Sequence, residues 1–399
     1  MSRSIEWARG EVRAAAEAHP GLQRLDCVLE GGRRVAALSY TELLAPRRPG
    51  DWVWLNLRAL DLELGTGGAA FVVAPADPPP VGVPVDDAVQ SSSQPPALLA
   101  PRAESGQPKA EPRRTDSGFL VKARYTPLQV AKRGVDSQGS PHHATLARAE
   151  SLDGLPVVVA DLHSSLPAVC AAIVHDAQLA DRPKPRLVYV MTDGAALPLA
   201  LSRTAARLTA DGVIDATITA GQAYGGDFEA VSVHSALLAA KHVAGADIAL
   251  CVQGPGNLGT DTPWGFSGVG VGEAVNAIVT LGGRAVGCLR VSGADWRERH
   301  RGLSHHSLTA YGRVALLGAD LALPELTGSL AELGWRVAAA AAPLAERHRL
   351  VPIEVGDLDP VLAATPGLST MGRDYAADPA AFLAAAAAGR LAWRLFGRG

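Results

Sequence analysis

The chain is poor in lysine, in cysteine and in aromatic side chains, and each shortage narrows what it can be. Five lysines stand against 32 arginines, and the net charge is −3 at neutral pH, which argues against bulk attraction to nucleic acid or to an acidic membrane surface. The arginine excess travels with abundant alanine, the mark of GC-rich coding, so arginines count as functional evidence only where they cluster. The four cysteines (Cys27, Cys170, Cys251, Cys288) lie far apart with no C-x-x-C pair. The last three sit in apolar runs and read as buried small hydrophobes, a usage that fits a reducing cytoplasm. No uncharged apolar run reaches the roughly 18 residues that a membrane helix needs. The N-terminal MSRSIEWARGEVRAAAEAHP carries no apolar core of a secretory signal, so a cytoplasmic protein is expected. Three catalytic signatures are also missing. GFSGV ends in Val269 where a nucleophile elbow needs glycine, there is no H-E-x-x-H, and no lysine follows a glycine-rich loop as in a nucleotide-binding P-loop.

What is present is long enough, at 399 residues with 48% hydrophobic, for two or three domains with a substantial core. Residues 1–75 read as strands and turns. LDCVLEGGRRVAALSY places Gly31-Gly32 between two apolar runs, a hairpin signal, and RPGDWVWLNLRAL alternates Trp52, Trp54 and Asn56 against Val53, Leu55 and Leu57. A small β-barrel or sandwich is expected. Residues 76–117 differ in kind. Nine prolines fall between Pro78 and Pro112 among serine, glutamine and mixed charge, which predicts a flexible linker.

Residues 118–399 are expected to form an α/β domain. Short, nearly continuous apolar runs recur at 155–160, 186–191, 215–220, 247–252 and 284–291, as in strands buried on both faces, and a helical pattern follows each. The alternation predicts a doubly wound, mainly parallel sheet. RLVPIEV (349–355) adds a strand. DPAAFLAAAAAGRLAWRLF closes the chain as a helix, with Asp378 as N-cap and Pro379 at its first position.

Ligands of such sheets bind beyond the carboxyl ends of the strands, and those ends are rich in chemistry here. DLHSS carries His163, a candidate acid or base. TDG carries Asp193, either a functional carboxylate or a helix cap. GGDFEA carries Asp227, a weak metal candidate or an N-cap, with Glu229 in the first helical turn. GPGNLGTDTPWGFSG holds a G-x-G-x-x-G pattern at Gly254, Gly256 and Gly259. The following helix starts too late, near Gly268, and the next strand ends in Arg290 rather than an acid, so nicotinamide or flavin binding is disfavoured. The alternatives are a packing turn and an anion loop using backbone N–H groups with Thr260, Thr262 and Ser267. RERHRGLSHHS follows the last of the five strands. Arg297 and Arg299 are candidates to hold an anion, and His300, His305 and His306 to act as acid, base or ligand. Ser304 is positioned to cap a helix over HHSLTAYGRVALLG. A divalent metal held by His163, Asp193, Asp227 and His305 or His306 is sterically allowed, although no spacing demands it.

MTDGAALPLALSRTAARL, GGDFEAVSVHSALLAAKHV, GPGNLGTDTPWGFSG and RERHRGLSHHSLTAYGRVAL together resemble the bacterial family known as domain of unknown function 3866. RPGDWVWLNLRALDLELGTGGAAFVV and KARYTPLQ resemble its N-terminal part. Asp261 stands where the resemblance leads one to expect glycine, and Trp264 is atypical too. The family carries no established activity, so the resemblance implies boundaries rather than a reaction. From the residues, the expectation is an enzyme acting on a small anionic or phosphorylated substrate. A ligand-sensing scaffold and nucleic-acid binding by the β domain through Trp52, Trp54, Arg47 and Arg48 are the alternatives.

Overall fold

A computed structural model of the chain describes residues 7–57, 60, 69–78, 119–122, 130–194 and 196–397. It divides into two compact units, Met1–Asp116 and Ser117–Gly399. The expected linker falls almost wholly on residues 79–118, outside the described residues.

The first unit is a closed barrel rather than a sandwich. Its strands β1 (Trp7–His19), β2 (Leu22–Leu29), β3 (Arg34–Tyr40), β4 (Trp52–Asn56) and β5 (Ala69–Ala76) run in the order β1-β2-β3-β5-β4, and β4 pairs back onto β1. Strict alternation sends Val12, Leu25, Cys27, Val35, Ala37, Val53 and Leu55 inward. Gly32, at φ +80°, makes the turn between β2 and β3. The outward Trp54 is half-buried, with the Arg9 guanidinium 5.7 Å above its ring and Trp7 at 6.5 Å.

The second unit opens with an antiparallel pair, β6 (Phe119–Lys122) and β7 (Val130–Arg133), and a short helix α1 (His143–Leu146). The sheet strands are β8 (Pro156–Ala160), β9 (Leu187–Thr192), β10 (Ala216–Thr219), β11 (Phe228–Glu229), β12 (Ile248–Gln253), β13 (Arg284–Cys288), β16 (Asp320–Glu325) and β17 (Arg349–Glu354). Between β13 and β16, the residue pairs β14 (Val291–Ser292) and β15 (Gly302–Leu303) form a separate antiparallel ribbon. The eight sheet strands are all parallel, in the order β11-β10-β9-β12-β8-β13-β16-β17. The chain starts at the centre on β8, steps out through β9 and β10 to β11, returns to β12 beside β8, then leaves on the other side through β13. That reversal makes a switch point between β8 and its neighbours, where crevices open.

The connecting helices are α2 (Leu166–Leu179), α3 (Arg203–Ala210), α4 (Val233–His242), α5 (Gly270–Thr280), α6 (His305–Thr309), α7 (Ala331–Ala341), α8 (Asp359–Ala364) and the terminal α9 (Pro379–Phe396). A last ribbon, β18 (Ser369–Thr370) with β19 (Arg373–Asp374), precedes α9. None of the described helices is long and apolar enough to cross a membrane, and all four cysteines are buried and unpaired.

Four local expectations differ from what is observed. The helix expected over HHSLTAYGRVALLG stops after five residues and a π turn, Ala310–Val314. Competing partners end it. Asn276 Oδ1 accepts the N–H groups of Leu316 and Leu317, and the Arg347 guanidinium donates to the carbonyls of Gly312 and Ala315. The released chain becomes β16. Glu229 lies on β11, not in a helix, and Ser232 caps α4. Asp193 does not cap a helix, because the following α3 is capped by Ser202. Asp378 occupies the N-cap position of α9 but its carboxylate turns away, accepting from Ser292 Oγ and Gly293 N.

α9 lies along α2, and closest approach is at Gly389, where an added Cβ would run into the backbone of Val169. Gly389→Ala should therefore lower the unfolding free energy by about 1–3 kcal/mol through overpacking, despite alanine's better helix propensity. Chemical denaturation of the two proteins measures it, and an unchanged midpoint would show that the contact is not tight.

Candidate functional site

β8 ends at Ala160, and the next residue, Asp161, is a buried carboxylate. Its partner comes from the strand beside it. Arg290, just beyond β13, puts Nη1 3.2 Å from Asp161 Oδ2 and 2.9 Å from His306 Nδ1, and His306 Nδ1 lies 3.5 Å from the same carboxylate oxygen. Burial pushes the Asp161 carboxyl up, but the Arg290 charge and the contacts with His306 outweigh it, and the pKa falls below the ordinary value. Arg290 is held by its own backbone as well: its N–H donates to Ser307 Oγ and its carbonyl accepts from Ser304 N.

His306 is one of three packed histidines. His300 is buried, with Nδ1 2.7 Å from Ser304 Oγ, and ring centroids lie 5.0 Å apart for His300–His305, 4.8 Å for His300–His306 and 4.5 Å for His305–His306. One ring nitrogen from each falls within 4.8 Å of the others, and this is the one such trio of metal-ligating groups among the described residues. Ser304 caps α6 as expected, accepting from His306 N. Burial first, then the charges of Arg290 and Arg297, push His300 down to about 3. Burial and neighbouring cations also lower His305. Nε2 of His305 is buried without a hydrogen-bond partner.

The glycine-rich loop packs against this cluster. Its backbone folds into a small hairpin. Ser267 N donates to Leu258 O and Thr260 N to Gly265 O, with Gly259 bridging Phe266. The hydroxyls expected to face an anion make hydrogen bonds within the loop: Thr262 Oγ1 accepts from Gly265 N, Thr260 Oγ1 donates to Gly265 O, and Ser267 Oγ donates to Asn257 Oδ1. Gly254 lies against Met191, and Gly256 has φ +98°. The hairpin lays Phe266 flat on His306, 3.6 Å between centroids and 6° between planes. Gly268 allows the backbone to approach so closely that an added Cβ would meet the Asp161 Cβ at 2.8 Å. Asp261 has φ +68°, a left-handed conformation that glycine adopts freely and aspartate tolerates. That accounts for the glycine expected there.

The arginines of the loop after β13 divide. Arg297 clamps the buried Asp295 through Nε and Nη2, at 3.0 and 2.9 Å, and Arg373 links Asp295 to Asp378 at 3.3 and 3.1 Å. Arg297 therefore braces the loop rather than facing a ligand. Among the charged groups of the described residues Arg299 pairs with Asp261, whose side chain is 66% exposed against 38% for that of Arg299.

His163 is engaged at both ring nitrogens, Nε2 with Ser202 Oγ at 2.6 Å and Nδ1 with Gln253 O at 3.3 Å. Burial takes its pKa down to about 4. Asp193 staples two loops, accepting from Ala196 N and Gln222 N. Asp227 accepts from both the N–H and the hydroxyl of Thr217. The metal set drawn from His163, Asp193 and Asp227 is thus not brought together. A cavity of about 480 Å³ opens nearby, lined by Thr192, Asp193 and Gln253 at the ends of β9 and β12, by Ser267 and Gly268, and by His234 and Glu273. Gln253 Nε2 reaches from it to Asp161 O.

From the sequence Arg290 is only the residue that stands where a dinucleotide fold has an acid, Asp161 is a strand-end residue without a role, and Phe266 is not singled out. The first residue after the central strand was a usable signal for Asp161. Nothing local pointed to Phe266.

The chain belongs to a family of proteins of unknown function, DUF3866, whose model matches residues 36–389. No curated protein and no solved structure matches it.

Asp295 supplies a test of the bracing network. Burial raises its carboxyl, but the hydrogen bonds and charge of Arg297, followed by Arg373, depress it well below the usual carboxylate range. A depressed folded pKa contributes stability that is complete above the unfolded value near 4 and is lost as pH falls below it. Asp295→Asn should cost about 1–3 kcal/mol at neutral pH by leaving the half-buried Arg297 and Arg373 short of a partner. The gap to the native chain should shrink below about pH 4. Denaturant titrations at several pH values measure it, and a pH-independent gap would contradict the assignment.

Proposed function

We propose that this chain is an enzyme acting on a small anionic substrate at the carboxyl edge of its parallel sheet, with His300, His305 and His306 as the reaction centre. The observation that carries the reading is the histidine trio with a buried, unpartnered nitrogen. An unsatisfied buried polar atom costs about 1–3 kcal/mol, and such costs concentrate at functional sites.

The surroundings fit that role. Asp161 and Arg290 orient His306. Arg299 is the cation of this loop suited to hold an anion, because its link to Asp261 is a solvent-exposed pair worth about 0–1 kcal/mol, and a bidentate phosphate or carboxylate can replace it. The cavity lined by Ser267 and Gly268, though by none of the three histidines, offers Thr192, Asp193 and Gln253 as polar positions around a small molecule. His163 supports the wall through Gln253.

A thermal-shift series with inorganic phosphate, pyrophosphate, nucleotides and small dicarboxylates tests the anion site. A ligand at about 100 times its Kd should stabilise the chain by roughly 2.7 kcal/mol. Arg299→Ala should weaken that ligand about tenfold or more, the loss of one charge-assisted bond. Asp261→Gly should do the reverse, tightening binding by releasing Arg299. No stabilisation by any of these anions, or an identical response in Arg299→Ala, would sink the reading.

A further inference from the structure

We infer that His300, His305 and His306 form a binding site for one divalent transition-metal ion of the zinc class, held by three imidazoles with a further coordination position open. The inference uses the reaction centre proposed above for its location, but it stands on the geometry of the three rings and is read by metal binding rather than by turnover.

The unused nitrogens point to one occupant. His300 Nδ1 is taken by Ser304 Oγ, and His306 Nδ1 by Arg290 and Asp161. His305 Nε2 has no hydrogen-bond partner although it is buried. That leaves Nε2 of His300, Nε2 of His306 and either ring nitrogen of His305 to the trio. A water or hydroxyl could satisfy one of them, whereas a metal ion satisfies three at once.

The donor set selects the metal. Imidazole nitrogen suits zinc, nickel, copper and iron, while magnesium and calcium require oxygen-rich shells. Three histidines with an open position is the arrangement of catalytic rather than structural zinc. Around one zinc ion at about 2.0–2.1 Å, ligand nitrogens stand roughly 3.3 Å apart. The trio, spread over at most 4.8 Å, would have to draw in by roughly 1.5 Å at its widest. Rotation of His305, whose Nε2 no hydrogen bond restrains, supplies part of that movement.

The neighbours of His306 give the site a second, distinctive element. When Nδ1 is unprotonated it accepts from Arg290, and the proton sits on Nε2, where it blocks a metal. When Nδ1 carries the proton it donates to Asp161, and Nε2 is free to ligate. Metal binding thus requires the tautomer that Asp161 stabilises, the carboxylate–histidine–metal relation by which a carboxylate tunes a ligand. Asp161 is a positioning residue in this scheme and Phe266, stacked on the ring, fixes the ring plane.

The full chain, purified without a histidine tag and stripped with a chelator, is titrated with Zn2+ by calorimetry and loaded in parallel with Co2+. One Zn2+ per chain is expected, with tetrahedral visible bands from Co2+ and no thiolate charge-transfer band. Asp161→Asn should weaken Zn2+ about 10–100-fold. His305→Ala should abolish stoichiometric binding, and His19→Ala, in the barrel, should leave it unchanged. Should His305→Ala fail to fold, the cobalt spectrum and the Asp161→Asn titration of the folded proteins decide. Less than one equivalent bound, a thiolate band, or full affinity in Asp161→Asn would overturn the inference. Anion binding lost with zinc retained would overturn the anion reading instead.

Discussion

A carboxylate buried at the end of a central strand must be neutralised by something equally buried, and in this protein the obligation falls on Arg290. Isolated, Asp161 would carry a desolvation cost of several kcal/mol. Meeting it requires β13 to end where it does, so that the next residues can turn Arg290 toward β8. The chain after β13 then cannot continue in the sheet. It leaves as β14, returns as β15 and delivers Ser304, His305 and His306 back beside Asp161. This ion pair places His306, one member of the three-histidine cluster.

The loop that makes this excursion is braced from the far side by Asp295, Arg297, Arg373 and Asp378. Two arginines and two carboxylates satisfy one another there, which ties the loop to β19 and to the start of α9. The glycine-rich loop closes the remaining side. Its glycines serve close approach, Gly268 to Asp161 above all, and its hydroxyls are used within its own hairpin. A pattern that reads as a phosphate cradle serves as a mount for Phe266.

Most of the architecture was legible along the chain. Parallel strands buried on both faces are continuous apolar runs, and β8, β9, β10, β12 and β17 announce themselves that way. The barrel alternation is equally plain. β16 was hidden because Asp320–Glu325 follows a stretch with helical periodicity, and the residues that stop that helix are far away in sequence, Asn276 by 40 residues from Leu316 and Arg347 by 32 from Ala315. The site was legible in address but not in wiring. His300, His305 and His306 stand in one short string, so their proximity follows from the sequence. Asp161, which pairs with Arg290 and His306, comes from the end of β8, 129 residues before Arg290.

The sequence by itself determined the doubly wound fold, an N-terminal unit of alternating strands and the edge of the sheet where polar residues gather, because periodicity is local. Only the tertiary structure decided which of those residues are spent on holding the loops together and which are left with unused valences. His163, Asp193, Asp227 and Arg297 have the right chemistry and the right address, yet each is hydrogen-bonded to other parts of the chain that it helps to hold in place. His305 keeps a buried nitrogen with none. Saturation depends on distances between segments far apart in the chain, which no local pattern encodes.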